Sequence, residues 1–226
     1  VSVFSKWHNA MIQAGDITGL LVAVVLISLV PFVAMVVTSY AKIVVVLGLL
    51  RNALGVQQVP PNMVINGIAI LVSIYVMAPV GMSAMRNVEN KPPAGNASDA
   101  VIQILGNARE PFREFLAKHA DTREKRFFLR SASIVWPKEA AAALQENDLI
   151  VLAPAFALTQ LTDAFKIGFL LYIAFIVIDL VIANVLLAMG LNQVNPTNVA
   201  IPFKLLLFVG MDGWSTLIRG LIVSFR

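Results

Sequence analysis

Of 226 residues, 58% are hydrophobic and 13% charged, with a mean hydropathy of +0.81. That leaves too little polar surface to coat a soluble globule, so an integral membrane or membrane-assembling protein is expected. The net charge of +4 and isoelectric point near 9.6 do not indicate nucleic acid, because the basic residues are interleaved with acids and form no stripe with stacking aromatics. With no cysteine, disulfides, thiolate nucleophiles and zinc–sulfur sites are excluded.

A mixed segment, residues 1–16, precedes an apolar run from Ile17 to Leu50, longer than the roughly 20 residues one helix needs to cross a bilayer. Pro31 lacks an N–H, and Thr38, Ser39 and Lys42 add polarity. A kinked helix over 17–37 and a second piece over 40–53 are therefore predicted. The stretch 17–37 is too long for a signal-peptide core and has no clear small-residue cleavage site, so it is read as mature structure; a leader ahead of Val1 stays open. RNALGVQQVPPN, residues 51–62, forms a polar turn, and Met63 to Met85 packs back as a second arm whose start Asn62 can cap. The first hydrophobic hairpin thus covers 17–85.

From Arg86 to Asp148 the chain carries ten Lys or Arg and nine Asp or Glu, which marks residues 86–148 as a small polar helical insert. Lys91 to Asn96 reads as a loop and Ser98 as a helix cap. Val101, Leu105, Ala108, Phe112, Phe115 and Leu116 then recur at helical spacing, with Pro111 expected to split the segment into two helices. Glu114 with Lys118, and Asp121 with Lys125, stand four apart as exposed ion pairs of little energetic weight.

Residues 149–226 form a second hydrophobic hairpin, interrupted at Gly190 to Pro196 and carrying another proline at Pro202. Its first arm, Leu149 to Met189, is too long for one straight span and is expected to bend near Pro154 or Gly168. Ala153, Ala157, Ala164 and Gly168 are small residues on that arm that permit close helix contact. The fold class is therefore all-α: membrane-type helical hairpins with kinked helices, a polar insert and an oligomeric state.

Lys42, Arg51, Asp163, Lys166, Asp179, Lys204 and Asp212 lie in or beside apolar runs. A charge at the centre of a membrane helix costs roughly 2.5–3.5 kcal/mol, so these groups should not face lipid. Asp163 and Lys166 share a helix face and can pair, whereas Asp179 needs a partner from another helix or subunit. They read as intersubunit or lumen-facing groups, with an ion relay as the alternative. His8 and His119 have no metal-ligand spacing. No phosphate loop, HExxH, GxSxG or dinucleotide turn is present, so no enzyme activity, metal or cofactor is expected.

TSYAKIVVVLGLLRNALGVQQVPPNMVINGIAILVSIYVMAPVG from Thr38 to Gly81, LAPAFALTQLTDAFKIGFLLYIAFIVIDLVIANVLLAMG from Leu152 to Gly190, and PFKLLLFVGMDGW from Pro202 to Trp214 closely resemble the FliP/SctR family of type III secretion export apparatuses. VQQVPPNM at 56–63 and WPKE…NDLIVLAPAF at 136–156 look more like its injectisome (SctR) members than its flagellar (FliP) ones. The resemblance implies a subunit of the bacterial inner membrane, forming a homopentamer with SctS- and SctT-like partners as a gate for unfolded secreted proteins. It also implies that apolar helices surrounded by membrane lipid in other proteins here stand raised toward the periplasm, with the polar insert on that side. The positive-inside rule would draw the basic insert into the cytoplasm, but it loses force for segments of about 60 residues.

Family members place a methionine cluster after the segment matching LLAMG, a use that suits the flexible thioether. Here Met189 is followed, after Gly190, by Leu191, Asn192 and Gln193, and these four side chains are the gate candidates. An ion-coupled secondary transporter using Asp163 and Asp179, or an assembly scaffold with no lumenal role, are the competing readings.

Overall fold

The computed structural model describes residues 21, 24, 25, 28, 29, 31–56, 59–90 and 97–226. The segment 1–16, the start of the first apolar run, His8, Gln57, Gln58 and the loop 91–96 lie outside the described residues, as do the side chains of Ser98, Val101, Leu105 and Ala108. Among the described residues every regular element is an α-helix. In chain order these are α1 (Pro31–Val37), α2 (Tyr40–Leu54), α3 (Asn62–Asn90), α4 (Ala97–His119), α5 (Thr122–Val135), α6 (Lys138–Ala142), α7 (Leu149–Ala188), α8 (Pro196–Gly210) and α9 (Gly213–Val223).

Between α1 and α2 the chain bends by 73° at Thr38 and Ser39. Their hydroxyls take over from the interrupted backbone ladder. Thr38 Oγ1 donates to the Ala34 carbonyl at 2.6 Å and accepts the Tyr40 N–H at 3.3 Å, while Ser39 Oγ donates to Ser73 Oγ of α3 at 3.0 Å. The Ser39–Ser73 bond lies in the interior, where an unmade hydrogen bond would be costly. α8 and α9 form a second bent pair, at 62°. Its break falls not at Pro202, which lies inside α8, but at Met211 and Asp212, where Asp212 adopts φ 52. A Cβ on Gly213 would stand 2.4 Å from the Phe208 ring, so the chain can fold back there only because the residue is glycine.

One expectation about prolines is corrected. α4 runs unbroken through Pro111. Proline deprives the Asn107 carbonyl of its helical donor, and Asn87 Nδ2 of α3 approaches that carbonyl at 3.4 Å. The buried Phe115 and Leu116 beyond it then anchor the helix against α7. α7 is likewise one continuous helix that contains Pro154 and Gly168. It extends for 40 residues, about 60 Å at 1.5 Å per residue, roughly twice the thickness of a bilayer core.

Three apolar clusters hold the helices together. Ile43, Val46 and Leu47 of α2 pack on Ile65 and Ala69 of α3, Ala164 of α7 and Leu221 of α9. Phe115, Leu116 and Ala120 pack on Leu152, Ala155 and Phe156 of α7 and on Phe225. Leu50, Ala53 and Leu54 meet Phe175 of α7 and Phe208 of α8. Complete burial of a side chain such as Phe156 or Leu47 contributes about 1.5–3 kcal/mol. α2 and α7 approach so closely that a Cβ at Gly168 would lie 2.2 Å from Leu49 Cδ1. Outside these contacts long apolar surfaces remain bare, including Leu71 and Tyr75 on α3 and Phe169 and Leu170 on α7. α3 and α7 are each long and apolar enough to cross a membrane, and the two bent pairs raise the number of such spans to four if each counts as one. The protein is a membrane protein by this measure.

On the insert, the expected pairs give way to other contacts. The Asp121 carboxylate caps α5 by accepting the Arg123 N–H at 2.7 Å, and Lys125 Nζ donates to the Ala117 carbonyl at 3.2 Å. The ion pair on α4 is Glu110 with Arg113, whose Nε donates at 3.0 Å. That bond holds the Glu110 carboxyl below its ordinary range.

Candidate gate tip and lysine–aspartate pairs

Four gate candidates meet at one projecting turn. α7 ends in a glycine cap: Gly190 takes φ 74, its N–H donates to the Leu187 carbonyl at 3.0 Å, and the Leu191 N–H reaches back to Leu186 at 3.0 Å. On the far side the Asn195 side chain accepts the Thr197 N–H at 3.0 Å, and Pro196 begins α8 in a position where its missing N–H costs nothing. Both ends of the turn are thus pinned through its backbone. Its side chains are left outside: Met189, Leu191, Asn192 and Gln193 are all exposed. Two apolar and two amide side chains at the tip of a 40-residue helix can plug, line or contact something beyond the chain; they carry no group for proton transfer or nucleophilic attack.

The charged candidates sort into two clusters along α7. Asp163 Oδ1 accepts from Lys166 Nζ at 3.1 Å, while its Oδ2 lies 3.9 Å from Nζ of the buried Lys42 on α2. The Lys42 ammonium also stands 4.8 Å above the Phe225 ring, close enough for cation–π attraction. Farther along, Asp179 Oδ2 accepts from Lys204 Nζ of α8 at 2.6 Å, and the same ammonium donates to the Ala53 carbonyl at the end of α2 at 3.2 Å. Asp179 therefore has its partner on another helix of the same chain. Its second oxygen, Oδ1, is buried with no hydrogen-bond partner among the described residues.

The other candidates stand apart. Arg51, in the last turn of α2, donates through Nη1 to Asn62 Oδ1 at 2.6 Å and to the Pro60 carbonyl at 3.3 Å. Asn62, expected as a cap, is the first residue of α3 and accepts from that guanidinium. Asp212 is exposed at the α8–α9 break and makes no side-chain cap.

One polar site has no counterpart in the sequence reading. His119 places Nδ1 3.0 Å from the Phe115 carbonyl and Nε2 3.1 Å from the Phe225 carbonyl, with its ring against those of both residues. Its backbone carbonyl accepts from Gln160 Nε2 of α7 at 3.1 Å. The sequence separation of 106 residues between His119 and Phe225 hides that contact.

Among the described residues no group of His, Asp and Glu could hold a metal ion. Residues 23–221 match the FliP family model. The chain is 66% identical to the pathogenicity-related ORF2 protein of Xanthomonas campestris pv. glycines, over 92% of this chain and 96% of that one. It is 65% identical to the hypersensitivity response secretion protein HrcR of Ralstonia nicotianae, over 95% of this chain and all of that one. Identity to the Yop proteins translocation protein R of Yersinia pestis is 46%, over 95% and 99% of the two chains. With nearly its whole length matched, the chain belongs to the FliP family, beside relatives of the injectisome (SctR) type.

Proposed function

We propose that this protein is a non-enzymatic core subunit of a type III export apparatus in the bacterial inner membrane. A homopentamer, joined by SctS- and SctT-like subunits, forms the gate through which unfolded substrates leave the cytoplasm. The observation that carries this reading is the tip after α7, where Met189, Leu191, Asn192 and Gln193 project from a capped backbone with nothing among the described residues to cover them. Bare apolar surface on α3 and α7 supports oligomerisation, and an α7 about twice as long as a bilayer is thick supports an assembly raised toward the periplasm. The tip is the lumenal seal, with amides standing in for part of the family's methionines.

The transporter reading loses ground to one feature. Asp163 and Asp179 are both engaged by lysines within the chain, as structural ion pairs are, rather than standing free to bind a coupling ion. Native mass measurement of the detergent-purified protein with its neighbouring-gene products tests the assignment. A pentamer that recruits small hydrophobic subunits is expected; a monomer or dimer with substrate-dependent proton flux would establish the transporter instead.

A further inference from the structure

In sequence the acids and bases of the insert alternate, but helix geometry separates them on α5. Arg123, Arg126, Phe127, Arg130 and Ile134 fall at i, i+3, i+4, i+7 and i+11, a single stripe opposite the buried Ala132. All five are exposed, Phe127 at 54% and Ile134 at 84%. This corrects the expectation that no basic stripe with an aromatic exists. Among the described residues none of the three guanidinium groups forms an ion pair. Like charges three and four residues apart destabilise an isolated helix, so the stripe is a cost that no ion pair among the described residues offsets. Val135, 77% exposed, extends the apolar part onto the shallow groove between α5 and the start of α7.

Two classes of occupant suit arginine interleaved with apolar residues: an anionic membrane surface and an acidic protein segment. The packing of α5 decides between them. The Asp121 N–H, at its start, donates to Thr159 of α7, whereas Ala132 and Val135, near its end, line the groove with Ile150 and Val151. α5 therefore stands antiparallel alongside α7, and its stripe runs along the axis of the long apolar helix. With α7 crossing a membrane, as its length and apolarity allow, α5 stands along the membrane normal whereas an interfacial helix lies in the membrane plane, so headgroups would reach only one end of this stripe. A helix packed lengthwise beside α5 meets all of it.

We infer that this face of α5 is a docking site for an amphipathic segment of another polypeptide of the export apparatus. That segment sets Asp or Glu at helical spacing against Arg123, Arg126 and Arg130, and an apolar residue between Phe127 and Ile134. The inference rests on the apparatus reading above, yet it fails separately from it, since a gate can assemble and conduct with this face empty.

The test places a photoreactive amino acid at Phe127 or Ile134 in the assembled apparatus in cells. Crosslinked peptides are sequenced by mass spectrometry, with R126E/R130E as the comparison. Expected is one crosslinked segment carrying acids at three- and four-residue spacing, with its yield reduced at least tenfold by the charge reversal. A segment without acids, a second copy of this chain, phospholipid, or no polypeptide at all would overturn the proposal. So would a yield that the charge reversal leaves unchanged. If the double reversal blocks assembly, R126Q alone makes the comparison, with a several-fold loss expected and an unchanged yield counting against docking.

Discussion

The two interhelical turns, at 55–61 and 190–195, start from the same backbone chemistry and end in opposite states. Each follows a glycine held left-handed, Gly55 at φ 76 and Gly190 at φ 74, and each returns to helix beside a proline. Around the first turn several contacts tie the described residues to the rest of the chain, although Val59 is 64% exposed. Arg51 binds the Pro60 carbonyl and Asn62, Lys204 binds the Ala53 carbonyl, and a Cβ at Gly55 would press to 3.2 Å from Ile201. Around the second nothing lies within 4 Å of the equivalent position, and the side chains from Met189 to Gln193 point away from their own chain. Backbone capping makes a turn; side-chain partners decide whether it is anchored or presented.

Removing the anchor should have the largest effect. Lys204→Met keeps the apolar stem but removes the partner of the half-exposed Asp179 carboxylate and of the Ala53 carbonyl, and losing hydrogen bonds from a buried charged group costs about 1.5–3 kcal/mol. Denaturant unfolding in detergent should show that loss, and Asp179→Asn added to Lys204→Met should recover part of it. A double variant no better than the single one would mean that the ammonium matters to Ala53 alone.

Glycine substitution probes the comparison directly. Gly55→Ala and Gly190→Ala each force a β-carbon into the left-handed region, at about 1–2 kcal/mol. Only Gly55→Ala also displaces Ile201, so it should lower the unfolding midpoint more. Equal shifts would show that the first turn yields as freely as the second. Arg51→Met, which removes hydrogen bonds on a half-exposed side chain, should cost about 1 kcal/mol by the same assay.

The difference between the turns was only half legible in the sequence. The helical class, the hairpin layout and the break at Thr38 and Ser39 follow from apolar run lengths and misplaced polar residues. The glycines and prolines mark both turns because they act through local backbone geometry. What anchors the first turn is only partly local: Arg51 reaches residues 9 and 11 positions on, but Lys204 reaches the Ala53 carbonyl from 151 positions away, and periodicity carries no such information. Pro111 misled for the same reason: the donor that approaches the Asn107 carbonyl belongs to α3. Arg123, Arg126 and Arg130 were hidden differently, by reading charge along the chain when the helix sorts it around an axis.

The smallest stability effect should accompany the most specific functional one. Asn192 and Gln193 are exposed and make no side-chain bonds among the described residues, so replacing both with methionine should change stability by no more than about 0.5 kcal/mol. In an assembled complex the same pair would enlarge the thioether content of the proposed seal, since methionine packs into irregular gaps that a hydrated amide leaves open to water. Ion leak through reconstituted complexes should therefore fall while the unfolding midpoint stays put. Unchanged or increased leak would remove the lumenal role from this turn. A large loss of stability would show instead that the tip is anchored in its own chain, and the contrast with the first turn would disappear.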